Sequence, residues 1–221
     1  MKFSSPIAQR GFTLVEIAVV LVIIGALLGG VLQGTKLIEN SKVKKAVAEI
    51  NGINAAYNAY QDKYGRQPGD DGTAAILATR GGDWADVPRG GNRNGAVQVT
   101  ATQTFTGANE NYAFWQHLRA AGLITGDHTA NAQATVFPTN SFGGRIGVTN
   151  ASVMDGLNGL KVCLSQVPGS SALAMDSQMD DGNADSGRLR ATDGTAGANT
   201  SPGTVSTAYQ ESDVYTLCST M

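Results

Sequence analysis

The chain has 221 residues, 15% of them charged, and a formal net charge of -2. No basic cluster stands outside the lysines near the apolar N-terminal run, so composition gives no nucleic-acid footprint. Lysine nearly vanishes after Lys63, with Lys161 alone remaining, and the region beyond residue 65 is rich in Gly, Ala, Thr, Asn, Ser and Asp. That composition suits one loop-rich domain on a modest core.

Residues 1–11 carry two basic residues, Lys2 and Arg10, and end at Gly11. From Ile17 to Thr35 there is no charge, and nearly every side chain is Val, Ile, Leu, Ala or Gly. A run of about 20 such residues is long enough to span a bilayer as a helix. Glu16 stands at its mouth. A carboxylate in a spanning segment costs at least a few kcal/mol and is a functional-site hypothesis by default. The alternative is a carboxylate that snorkels to the headgroups. A cleavable secretory signal fits poorly, because Glu16 interrupts the apolar region and Gly25–Gly30 offers no small-residue cleavage site. Charge counting leaves orientation open, with lysines on both sides of the run.

One helix is predicted over 12–64, with a membrane-spanning half at 12–35 and an amphipathic outer half. In the outer half Val43, Val47, Ile50, Ile53 or Ala56, Tyr57, Tyr60 and Tyr64 recur at steps of three and four. Gly65 and Pro68-Gly69-Asp70 supply the stop. Such a helix would be about 80 Å long. Gly25, Gly29, Gly30 and Gly34 have the small-x-x-x-small spacing that lets helices approach closely, though glycine is also common in membrane helices.

Residues 66–221 are expected to fold as a globular α+β domain that covers the outer half of the helix with a loop-rich antiparallel sheet. Short helices are predicted at 73–80 and 111–122, the latter with Tyr112, Trp115 and Leu118 as its apolar face. Val97 to Phe105 alternates like a strand. Further strands are predicted at 145–148, 160–167, 187–191 and 214–218, with a helix at 169–179 and a flexible loop at 192–206. Trp84 and Trp115 are expected in the core, and His117 and His128 as surface or packing residues.

Cys163 and Cys218 are the only cysteines. If the domain lies outside the cytoplasm they are expected to form a disulfide, which would stabilise it by about 4 kcal/mol through loop-closure entropy. Asp181, Asn183 and Asp185 place oxygen side chains at alternate positions, as calcium loops do. The glycine falls one place late and no closing glutamate follows, so the same residues read as an Asx-capped turn, which we expect in preference. No cofactor is expected beyond this calcium candidate, and no nucleophile elbow, P-loop or paired-acid motif points to an enzyme.

Gly11-Phe12-Thr13-Leu14-Val15-Glu16, behind a basic leader and before an apolar run, resembles the class III signal of type IV pilins and type II secretion pseudopilins. The resemblance implies cleavage after Gly11 by a prepilin peptidase and N-methylation at Phe12. It also implies a role for Glu16 in assembly, through the amino terminus of a neighbouring subunit. It implies as partners other pilin or pseudopilin subunits, an inner-membrane assembly platform and the lipid bilayer. The expected location is the bacterial inner membrane, with the C-terminal domain outside the cytoplasm, and then a filament. Major pilins usually carry a proline within the helix. This chain has none between Pro6 and Pro68, which leans toward a minor subunit. The rival expectation is a membrane-anchored binding or enzyme domain with no filament role.

Overall fold

The computed structural model describes residues 11, 13–107 and 109–221. The leader, Phe12 and Ala108 lie outside the described residues. Helix α1 runs Leu14–Tyr64. The chain divides between Ser41 and Lys42 into two compact units, each taken by itself below.

In the first unit α1 is apolar on every side. Its side chains from Leu14 to Ile38 are open to the surroundings: Leu21, Val22, Leu28 and Leu32 are each at least 60% exposed. This is the one described helix long and apolar enough to cross a membrane. An all-round apolar helix with no covering protein requires lipid or other helices. A Cβ added at Gly25, Gly29, Gly30 or Gly34 would meet nothing within 4 Å. Among the described residues these glycines therefore make no close approach, and each weakens the helix by about 1 kcal/mol relative to alanine.

In the second unit the outer part of α1 buries Val43, Ala46, Ile50, Ile53, Ala56 and Tyr60, while Val47, Tyr57 and Tyr64 pack at the core's edge. The stop is at Gly65, whose positive φ of 67° suits a residue without a Cβ and whose N–H returns to the Gln61 carbonyl at 2.7 Å. Helix α2 (Ala74–Ala78) begins at a Thr73 cap, where the Ile76 N–H donates to the threonine hydroxyl.

The predicted strand at 97–105 does not form. Thr100 and Gln103 make a reciprocal capping box, and Ala101–Gln103 is a 3-10 turn. Val97 and Val99 are buried, but outside any ladder.

Helix α3 (Glu110–Ala120) also departs from its expected one-sided pattern, because all of its residues are buried. Its polar side chains hold the long loops by their backbone. Gln116 donates to Ala130 O at 2.7 Å, Arg119 to Val136 O at 2.7 Å, and Asn111 to the carbonyls of Gln103 and Thr104. The Gln98 N–H donates to Glu110 at 2.6 Å. His117 Nδ1 accepts the Gly69 N–H at 2.9 Å, and Nε2 meets Arg89 O at 3.1 Å. Loops with few strands of their own satisfy their backbone groups on a central helix in this way. A short helix α4 (Gln133–Val136) follows.

Strands β1 (Ile146–Thr149), β2 (Lys161–Pro168), β3 (Leu189–Asp193) and β4 (Val214–Thr220) form one antiparallel sheet in the order β1-β2-β4-β3. Helix α5 (Gly169–Met179) follows β2 and packs on the sheet through Ala172 and Met175. Alternation sorts the two faces. Val162, Leu164, Leu217 and Ala191 join the main core with α1 and α3, while Cys163 and Cys218 face a smaller cluster of Phe105, Val153, Met154 and Leu157. Both sheet edges are covered by loops. Ile146 N–H donates to Pro138 O beside β1, and Ser206 N–H to Ala191 O beside β3.

Candidate functional site at the head of the N-terminal helix

Helix α1 starts three residues beyond Gly11, and its start is defined by two side chains. The Glu16 N–H donates to the Thr13 hydroxyl oxygen at 3.2 Å. The Thr13 N–H donates back to Glu16 Oε2 at 2.8 Å, and the Thr13 hydroxyl reaches the same oxygen at 2.8 Å. This is a capping box, which satisfies two of the donors that a helix N-terminus otherwise leaves unpaired. The Ile17 N–H then makes the first backbone turn onto Thr13 O at 3.3 Å. The residues that signal it, Thr13-x-x-Glu16 ahead of an apolar run, are plain in the sequence.

The box does two things to the carboxylate. It places a negative charge at the positive end of the helix, where the macrodipole favours it. It also fixes the side chain against its own backbone while the other oxygen, Oε1, accepts no bond among the described residues. Glu16 is therefore a held carboxylate with a free face. Gly11 is exposed and outside the helix. Phe12, the expected methylation site, lies outside the described residues.

The other sites expected from sequence fall elsewhere in the second unit. Cys163 and Cys218 are paired directly across β2 and β4, with Cα atoms 4.1 Å apart, and are bonded to each other. Both are fully buried.

Of the calcium candidates, Asp181 accepts the Asn183 N–H at 2.9 Å and the Ser186 hydroxyl at 2.5 Å, as an Asx-capped turn does. Asn183 and Asp185 are exposed. The carboxylates whose oxygens gather within 4.8 Å of one another are Asp176, Asp180 and Asp181, and Asp185 is not among them. Asp176 comes from the buried side of α5, which the local spacing could not reveal. Its oxygens accept the Tyr209 hydroxyl at 2.6 Å and the Gly182 N–H at 3.2 Å. Asp180 accepts the N–H groups of Arg188 and Leu189.

His117 is buried, and that burial pulls its pKa down to about 4. Its ring is neutral, with Nδ1 as acceptor and Nε2 as donor, as its two backbone partners require. It sits beside Tyr60 and Trp84 as a packing residue.

A family model described as the prokaryotic N-terminal methylation motif matches residues 7–32, the segment that holds Gly11, Thr13 and Glu16. That segment is similar to the class III signal of type IV pilin-like prepilins. No curated protein and no solved structure gives a significant match to it. The methylation motif thus covers the head of α1, and the α+β domain follows it in the chain.

Proposed function

We propose that this prepilin is a filament subunit, cut after Gly11 by a prepilin peptidase, N-methylated at Phe12 and assembled with other pilin-like subunits. Before assembly it is held in the inner membrane by α1, with residues 66–221 as a single domain outside the cytoplasm. The filament is a type IV pilus or a type II secretion pseudopilus, and the proline-free α1 favours a minor subunit. The observation that carries this reading is the methylation motif at 7–32 lying on an apolar helix with a carboxylate held at its mouth.

The chemistry is electrostatic. Cleavage at Gly11 creates an amine at Phe12, four residues before Glu16 and about 6 Å from it along a helix axis. In a low-dielectric layer a carboxylate requires a positive partner. A neighbouring subunit's amine can approach the free Oε1 face of Glu16 and set the stagger between two helices. The exposed apolar faces and the open glycine positions then supply close helix packing.

Replacing Glu16 by Ala tests this reading. The variant is expected to be cleaved normally and to accumulate in the membrane without entering filaments. Filaments of normal yield and subunit content from Glu16→Ala would overturn the assigned role.

A further inference from the structure

Where α1 ends, two arginines face an open polar cleft of about 390 Å³. Arg66 and Arg93 line it together with Gln61, Gln67 and Asp70. Asp71 is fully buried and draws three guanidinium groups. Arg80 pairs with its Oδ2 at 2.7 Å, Arg66 stands 3.7 Å from its Oδ1, and Arg93 Nε donates to its backbone carbonyl at 3.0 Å.

Arg80 is used up by this pair and by the Tyr64 and Trp84 rings, 4.7 and 4.6 Å away, and it does not line the cleft. Asp70 lines the cleft, but its oxygens already accept the N–H groups of Asn92, Arg93 and Gly95, and the neighbouring Glu110 accepts the Gln98 N–H.

The donors there are also placed in advance. The Arg93 side chain lies against Gly72, where a Cβ would come within 2.6 Å of Nε, and the positive φ of 117° there suits glycine. With Nε bound to Asp71 O, the two terminal nitrogens of Arg93 have no acceptor among the described residues. Arg66, half-exposed, makes no side-chain hydrogen bond among the described residues and only the long ion pair. Two planar guanidinium groups tethered to one residue, with free donors, match the geometry of an oxyanion. Amide groups at Gln61 and Gln67 add polar contacts around it.

We propose that this cleft binds a small ligand carrying one oxyanion, a carboxylate or a phosphate.

The test uses the full chain in neutral-detergent micelles at constant ionic strength. Arginine side-chain N–H resonances are followed during titration with inorganic phosphate, with glucuronate and with glucose. Saturable shifts are expected at Arg66 and Arg93, with an apparent Kd on the order of 1 mM, and none at Arg145 or Arg188. Arg66→Gln is expected to weaken binding about tenfold and to leave the remaining spectrum in place, with Arg66→Lys between the two. A response to phosphate alone, or to glucuronate alone, supports the proposal and names the source of the oxyanion. An equal response to glucose, shifts that rise without saturation at every exposed arginine, or unchanged binding by Arg66→Gln would each overturn it.

Discussion

The Thr13 N–H and the Thr13 hydroxyl both donate to one carboxylate oxygen of Glu16, each at 2.8 Å. The residue whose charge marks the signal is therefore also the residue that starts the helix. Thr13→Ala removes the acceptor for the Glu16 N–H and one donor to the carboxylate. It is expected to cost about 1 kcal/mol of local helix stability. Hydrogen exchange in micelles would report it as faster exchange at residues 14–17 only, with Thr13→Ser close to wild type. Unchanged exchange in the alanine variant would show that the box does not hold the helix end.

The disulfide joins directly opposed residues of the two central strands and closes a loop of 55 residues. Its removal in Cys163→Ala/Cys218→Ala is expected to lower stability by about 4 kcal/mol. Denaturant unfolding would show an earlier midpoint, and reductant would shift the wild type but not the double variant. A midpoint that reductant leaves in place would contradict the bond's contribution.

His117 gives a pH dependence with a definite sign. Its folded-state pKa, about 4, lies below the usual value of 6.5, because burial disfavours the charged ring. The unfolded chain therefore binds the proton more readily. The His117 contribution is complete above about pH 6.5, declines as pH falls toward 4 and is exhausted below it. The full difference is on the order of 3 kcal/mol. Protonation at Nδ1 would also break the bond from the Gly69 N–H. His117→Asn is expected to be less stable at neutral pH and to have a flatter stability profile between pH 4 and 6.5 than wild type. Parallel profiles would contradict this account.

What the sequence shows of this fold depends on how local each cause is. The end of α1 is legible because Gly65 and Pro68 act on their own neighbours. The four strands are legible because alternation puts Val162, Leu164 and Leu217 on one face and Cys163 and Cys218 on the other. Residues 97–105 mislead because the same alternation of Val97 and Val99 runs into Thr100 and Gln103, whose side chains fold the chain into a turn. Helix α3 misleads for the opposite reason. Its polar residues look solvated by periodicity, but His117 and Gln116 are buried by partners 48 and 14 residues away. The carboxylate group around Asp176 escaped for the same reason, since α5 brings it to the turn only in three dimensions. At the head of α1 the whole cause was local. Thr13 was missed because the charge of Glu16 drew the reading, not because its partner was distant.

The central claim is that this chain is a processed filament subunit, and the mass of its mature N-terminus tests it most directly. Intact-mass and N-terminal peptide analysis of the membrane-extracted protein is expected to show loss of residues 1–11 and one methyl group on the amine of Phe12. A chain that retains Met1, or one cut at any other bond, would contradict the account.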